Sequence, residues 1–183
     1  MRYLFVLLLF ASHYAYAQPD AEMMVQALRL TPERTHTGVT NLYQLGVDFG
    51  NNDKKTPVYV TMGLRMGYMH TMRATKLEDT FHYVTLAPTL GFHTIQHITK
   101  NVSLNVALCT SLDYMNNLRL PQELVEVFPI LAVSNELSIG ARFKNVTASL
   151  LMMYYTPIWD EYFEWHTSLT GVGFELKIFI PED

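Results

Sequence analysis

Apolar and polar residues alternate along most of the chain, in successive stretches that each end in turn-forming residues. The pattern is clearest between positions 135 and 144, where the even positions are small, polar or charged. The apolar side of this segment consists of Leu137, Ile139, Ala141 and Phe143. A period of two is that of a β-strand, in which successive side chains point to opposite faces. The chain is therefore predicted to be all-β.

Seven segments carry this period clearly, and an eighth is weaker. The seven clear segments are 39–49, 58–67, 84–92, 102–113, 128–144, 146–156 and 171–180. The weaker segment, 23–30, fits either a strand or a short amphipathic helix.

The connections between these segments differ in length. The connection at 144–145 is short, whereas those near 73–79, 116–126 and 157–165 are longer, and short and long connections alternate. Outer-membrane barrels have short periplasmic turns, longer external loops and, in single-chain bacterial proteins, an even number of strands. With 23–30 counted as a strand, we predict an eight-stranded antiparallel up-and-down transmembrane β-barrel with both ends in the periplasm.

The start of the chain has the features of an export signal. Arg2 precedes an apolar run at 4–10, and a small-x-small cleavage motif ends at Ala17. The apolar run is too short to cross the ~30 Å hydrocarbon core of a bilayer. We therefore predict a cleaved secretory signal peptide at 1–17 and a single β-barrel domain at 18–183.

Charge and cysteine content exclude several classes of function. Without Arg2, the 13 basic residues become 12 against 17 acidic ones, a net charge of −5. This charge gives no general attraction to nucleic acid, so no nucleic-acid partner is expected. The single cysteine, Cys109, cannot form an intramolecular disulfide. No HExxH or CxxC spacing occurs, and no metal or other cofactor is expected.

The composition of the two strand faces separates a membrane barrel from a soluble, lipocalin-like periplasmic carrier. The polar face carries glycines and serines with a few charges of both signs. Such a face suits a narrow lumen better than a water-exposed surface. The other face lacks charges over most of each strand, as contact with lipid requires. A membrane barrel is therefore predicted, with the soluble carrier as an alternative.

The charges on the polar face predict a network of ion pairs in the lumen. The lumen of an eight-stranded barrel is only wide enough for side chains, so no general diffusion pore is expected. Unpaired buried charges are costly, which favours mutual pairing. The predicted members are Asp48, Arg65, Glu136, Arg142, Glu175 and Lys177. A path for protons or ions through these groups is the alternative.

With these features over residues 22–180, the chain resembles the small eight-stranded outer-membrane barrel proteins of Gram-negative bacteria, of the OmpX and OmpA transmembrane-domain type. Its last strand, 171–180, looks like the assembly signal of that family. The resemblance implies a monomeric protein of the outer membrane and cell envelope, porin-like in architecture, that contacts membrane lipid and lipopolysaccharide. It also implies a structural or surface-interaction role, in which the external loops 116–126 and 157–165 are candidates for binding an extracellular ligand.

A second alternative is an enzyme. Glu164, His166 and Ser168 share one strand face, and an acid, a base and a nucleophile are the residue types that acyl hydrolysis needs. The His-x-Ser element resembles that of PagL-type lipid A acyl hydrolases. However, side chains two positions apart on a strand start about 6–7 Å apart, beyond direct hydrogen-bond reach. We therefore assign no catalytic residue and keep these three as candidates.

Overall fold

The computed structural model describes residues 20–32, 40–50, 57–72, 80–117, 130–159 and 168–180. They form eight strands: β1 (Asp20–Pro32), β2 (Thr40–Gly50), β3 (Val58–Met72), β4 (Thr80–His97), β5 (Val102–Asn117), β6 (Ile130–Phe143), β7 (Val146–Trp159) and β8 (Leu169–Ile180). Each strand pairs antiparallel with the next, and β1 pairs with β8 to close the barrel. The predicted eight-stranded antiparallel up-and-down barrel is confirmed.

The ambiguous segment 23–30 is a strand. It lies within β1, which pairs with β2 on one side and with β8 on the other. Its residues therefore form the seam of the barrel and complete an even number of strands.

Several strands extend beyond their apolar alternation. The connections predicted at 116–126 and 157–165 begin too early, because β5 continues to Asn117 and β7 to Trp159. The chain between β5 and β6 is 118–129, and that between β7 and β8 is 160–168. Polar and aromatic residues at the strand ends hide the periodicity, although the backbone pairing continues through them.

The predicted alternation of short and long connections holds only for the second half of the chain. The first three connections, 33–39, 51–57 and 73–79, are each seven residues long. We call the end of the barrel with Asp20, Ile180 and the turns 98–101 and 144–145 the short-turn end. The opposite end, which carries the connections 33–39, 73–79, 118–129 and 160–168, is called the long-connection end.

The pairing register fixes how far the strands are staggered. Following paired residues once around the barrel leads from position 30 of β1 back to position 20 of the same strand, an offset of ten residues. The path runs through Leu30, Gly171, Met153, Glu136, Cys109, Gly91, Thr61, Gly50 and Asp20. Such a stagger accompanies strands tilted by roughly 35–45° and an interior filled by side chains.

The apolar face of the strands points outward. Leu45 is 63% exposed and Phe174 is 70% exposed, whereas the neighbouring Glu175 is 4% exposed. A soluble carrier has the reverse arrangement, with its apolar face around an internal ligand, so that alternative is wrong. No helix among the described residues is long and apolar enough to cross a membrane.

Outward-facing tyrosines form a girdle near the long-connection end. Its members are Tyr43, Tyr68, Tyr114 and Tyr154, on β2, β3, β5 and β7. Toward the short-turn end, the outward face is apolar, with residues such as Leu45, Phe92 and Ile139. Tyrosine is enriched where a barrel meets the membrane–water interface. The girdle therefore indicates the edge of the lipid-facing band that is nearest the long-connection end.

Candidate functional site

The lumen near the long-connection end is filled by apolar side chains, which we call the apolar plug. They are Leu28, Leu30, Leu42, Met69, Tyr83, Met115, Ala132, Leu151, Met153, Tyr155 and Leu169. All eleven are buried, and Leu30, Leu42 and Met69 are completely inaccessible to solvent. The plug fills this end of the described lumen.

The plug also explains why alternation is poor at positions 150–155. On β7, Leu151 and Met153 point into the plug, while Leu150 and Met152 point outward. Both faces are apolar at this level because one meets the plug and the other meets the surroundings of the barrel. The sequence therefore shows no alternation of apolar and polar residues here, although the strand is regular.

Below the plug, an ion pair joins β3 to β6 across the lumen. Arg65 Nη1 donates a hydrogen bond to Glu136 Oε1, and both side chains are buried. Gln26 Nε2 donates to Glu136 Oε2 at 3.1 Å and to Glu175 Oε2 at 2.8 Å. The amide of Gln26 thus bridges two carboxylates from different strands.

Lys177 continues this arrangement toward the short-turn end. Its Nζ lies 3.5 Å from Glu175 Oε2 and 3.9 Å from Asp48 Oδ2. Thr89 Oγ1 donates a hydrogen bond of 3.2 Å to Asp48 Oδ1. Five predicted members of the network, Asp48, Arg65, Glu136, Glu175 and Lys177, are thus buried in the lumen and lie within two clusters joined by Gln26.

Arg142, the sixth predicted member, has different surroundings. It is half-buried close to the short-turn end, where its Nε donates to the backbone oxygen of Lys144 at 3.1 Å. Its guanidinium lies 4.4 Å from the centre of the Phe179 ring. Arg142 therefore packs near the rim, against Phe179 and the backbone of Lys144.

The sequence interpretation missed several buried polar residues in the lumen. Tyr59 OH donates to Glu22 Oε1 at 3.0 Å, and the Tyr59 ring stacks on His93 at 4.7 Å. His93 Nε2 is hydrogen-bonded to Thr61 Oγ1 at 2.9 Å. The available signal was parity, because each of these residues lies on the inward face of its strand.

The described lumen contains more acid than base. Its five buried carboxyl groups belong to Glu22, Asp48, Asp113, Glu136 and Glu175. Among the residues that the structure describes, only Arg65 and Lys177 are buried cations of the lumen. Within the described ranges, no three His, Cys, Asp or Glu side chains are arranged to hold a metal ion. The two cations are paired with Glu136, Glu175 and Asp48 inside the lumen.

The candidate hydrolytic residues are only partly described. Ser168 directly precedes β8 and is half-buried. It has the parity of Thr170 and Val172, which are exposed on the outward face. Glu164 and His166 lie outside the described residues, so the hydrolase remains a prediction from the sequence.

Comparison with known proteins identifies the fold but no close relative. No protein-family model matches the chain, and no curated protein sequence matches it. The crystal structure of the outer membrane enzyme PagL matches with a TM-score of 0.50 and 15% identity, covering 86% of this chain and 99% of that chain. Ail, the attachment invasion locus protein of Yersinia pestis, matches with a TM-score of 0.43 and 11% identity, covering 88% and 96%.

The PagL match, at 15% identity, concerns the fold alone. It agrees with the closed eight-stranded topology of this chain. The chain is an eight-stranded barrel with the architecture of the small bacterial outer-membrane proteins.

Proposed function

We propose that the protein is a non-conducting barrel of the outer membrane that supports the cell envelope and acts at the cell surface through its long connections. The observation that carries this proposal is the filled lumen. The apolar plug occupies one end, and buried charged pairs occupy the region below it. A barrel built in this way contributes a rigid support for the segments it carries.

The absence of a channel has a direct test. Purified protein in a planar lipid bilayer is expected to give no conductance steps, because ions would have to cross the closely packed apolar plug. A sixteen-stranded porin in the same bilayer serves as the positive control, since barrels of that size enclose an aqueous channel. Reproducible conductance steps from the wild-type protein would contradict the proposal.

The surface role rests on the connections 118–129 and 160–168, which belong to the long-connection end. External loops of outer-membrane barrels are generally longer than periplasmic turns. An epitope tag inserted into 118–129 is expected to bind antibody on intact cells. The same tag in the turn 98–101 is expected to bind only after the outer membrane is permeabilised. The reverse labelling would contradict the proposed orientation.

Envelope support and surface contact can then be separated by genetics. Cells lacking the protein are expected to be more sensitive to detergent, and the wild-type gene is expected to restore resistance. A variant with Gly-Ser sequences of equal length in place of 118–129 and 160–168 tests the connections. Full detergent resistance with this variant would show that the barrel alone supports the envelope and that the connections are not needed for this role.

The same strains test the sequence-based alternative of acyl hydrolysis. Lipid A extracted with and without the expressed protein is compared by mass spectrometry. An unchanged acylation pattern would remove the enzyme hypothesis, as would an equal change produced by the Ser168→Ala variant.

A further inference from the structure

We infer that the outward face of the barrel binds a phosphorylated membrane lipid, with Arg29 holding the headgroup and the adjoining apolar groove holding an acyl chain. This inference depends on the membrane-facing surface of the barrel. It is independent of the filled lumen and of the connections on which the proposed function rests.

Arg29 is exceptional among the outward-facing residues. Within the described strands, it is the one side chain on the outward face that carries a formal charge at pH 7, and no Asp or Glu shares that face. It is exposed, and it has no hydrogen-bond or ion-pair partner among the described residues. An uncompensated arginine is strongly unfavourable at the midplane of a bilayer and is tolerated near its edge.

The position of Arg29 matches the membrane edge. It lies three residues before the end of β1 at the long-connection end. Its cross-strand partner on β2 is Asn41, and the next outward residue of β2 is Tyr43 of the tyrosine girdle. At this level, a cation can reach the headgroups of the lipids that surround the barrel.

Arg29 begins a polar row that crosses four strands. The row follows the paired positions Arg29, Asn41, His70 and His82 from β1 to β4. The rings of His70 and His82 lie 4.9 Å apart, and His82 is hydrogen-bonded to Tyr68 OH. The row thus offers a guanidinium, an amide and two imidazoles without a carboxylate. This composition is complementary to an anion.

An apolar groove adjoins the cationic end of this row. The groove has a volume of about 710 Å³ and is open on the outward face of the barrel. Arg29 and Asn41 line its polar edge, while Ala27, Ile139, Val172 and Phe174 contribute apolar lining. A second groove of about 790 Å³ also includes Arg29 in its lining. Arg29 therefore lies where two apolar surfaces meet.

These observations identify one class of ligand. A phosphate group suits Arg29, because a guanidinium can donate two parallel hydrogen bonds to phosphate oxygens. The grooves suit hydrocarbon chains, because burial of apolar surface requires no specific partner. A lipid with phosphate on its headgroup satisfies both conditions in one molecule, whereas free phosphate satisfies only the first.

The test measures lipid retention by the purified full-length protein in micelles of an uncharged detergent. The probes are diphosphoryl lipid A, its dephosphorylated counterpart and inorganic phosphate. Native mass spectrometry counts the bound molecules, and a titration gives the dissociation constants. We expect diphosphoryl lipid A to bind at least tenfold more tightly than the dephosphorylated lipid, and inorganic phosphate alone to give no measurable binding.

Matched variants assign the binding to Arg29. Arg29→Gln is expected to weaken the binding of diphosphoryl lipid A at least tenfold, whereas Lys100→Gln, which removes an exposed cation in the 98–101 turn, should not change it. Ala27→Phe, which fills the groove, is expected to weaken the binding of both lipids. Heat-modifiable gel migration confirms that each variant is folded.

Three results would overturn the inference. The first is equal affinity of Arg29→Gln and the wild type for diphosphoryl lipid A. The second is equal affinity of the wild type for the phosphorylated and dephosphorylated lipids. The third is binding of inorganic phosphate as tight as that of the lipid, which would assign the site to a free anion.

Discussion

At the scale of single residues, the stability of the polar part of the lumen depends on a few buried charged groups that form ion pairs with one another. Arg65 is 1% exposed and is bonded to Glu136, whose other oxygen accepts a hydrogen bond from Gln26. Removal of one partner of a buried pair leaves the other as an uncompensated charge. The free energy lost when one partner is removed is therefore larger than the net free energy that the intact pair contributes to folding.

Arg65→Met is expected to lower the free energy of unfolding by about 3–5 kcal/mol, because Glu136 then lacks its buried cation. Urea titration of the barrel in phospholipid vesicles, followed by tryptophan fluorescence, measures this change. Arg142→Met is the matched control, since Arg142 is half-buried on the rim. The double variant Arg65→Met with Glu136→Gln is expected to recover most of the loss. No recovery would show that the two residues are not coupled.

A close backbone approach sets a second expectation at this scale. A Cβ atom at position 63 would lie 1.9 Å from Asp48 Oδ1 and 2.6 Å from the backbone oxygen of Val47. Gly63→Ala is therefore expected to destabilise the barrel by about 1–3 kcal/mol in the same titration. At Gly46, the nearest atom is Cγ of Arg65 at 2.8 Å and the nearest backbone oxygen, that of Leu64, lies 3.2 Å away, so Gly46→Ala should cost less. Equal effects would contradict this account.

The sequence predicts which face a residue joins but not which residue it meets. Parity places Asp48, Arg65 and Glu136 on inward faces, as the structure has them. The contact between Arg65 and Glu136 joins strands that are not neighbours, and it depends on the stagger of the whole barrel. Tyr59 and His93 have the parity of the inward face, but parity does not predict that their rings stack.

At the scale of the strand, β7 is a regular strand whose sequence does not alternate between apolar and polar residues, because both of its faces meet apolar surroundings. Leu150 is 61% exposed and Leu151 is 1% exposed, yet their chemistry is the same. The outward residue meets lipid, and the inward residue meets the plug. Hydropathy alone cannot separate these environments, because lipid tails are as apolar as leucine. The strand could be predicted here, but its faces could not.

This pair gives a controlled comparison between adjacent positions. Leu151→Ala is expected to lower the free energy of unfolding by about 2–5 kcal/mol, because it leaves a cavity in a packed plug. Leu150→Ala is expected to cost less, because lipid tails fill the space that the side chain leaves and only the loss of apolar burial remains. Urea titration in phospholipid vesicles measures both. A larger loss for Leu150→Ala would reverse the assignment of the two faces.

The first strand limited what could be predicted about the outward face. Segment 23–30 has a weak pattern because Gln26 shares the inward face with Met24 and Leu28. Without a definite strand there, the outward position of Arg29 could not be deduced. The candidate lipid site therefore became visible only from the pairing of β1 with β2 and β8.

At the scale of the whole molecule, closure gives every strand one face toward the lumen and one away from it. The fold class, the number of strands and the direction of the faces were predictable, because they follow from periodicity and an even strand count. The division of the lumen into an apolar plug and a charged region was not. It depends on which inward positions of eight strands meet at one level.

Cysteine chemistry tests this arrangement with residues one position apart. Cys109 is 8% exposed on the inward face, whereas Leu108 is 59% exposed on the outward face. In the folded barrel in vesicles, Cys109 is expected not to react with a water-soluble maleimide until urea unfolds the protein. A cysteine introduced by Leu108→Cys in a Cys109→Ser background is expected to accept a lipid-soluble fluorescent label. Brominated lipids should quench that label, and its insensitivity to them would contradict the arrangement.

The ten-residue offset at the seam has a consequence for how such a chain can change over time. Side chains alternate between the two faces with a period of two. Inward-facing residues of β1 therefore pair with inward-facing residues of β8 only when the offset around the barrel is an even number of residues. Losing or gaining one residue within a strand would turn part of that strand inside out. Insertion or deletion of two residues at once would keep the apolar positions in contact with lipid. Strands of this protein are therefore expected to change length by two residues at a time during evolution, whereas the connecting segments can vary one residue at a time.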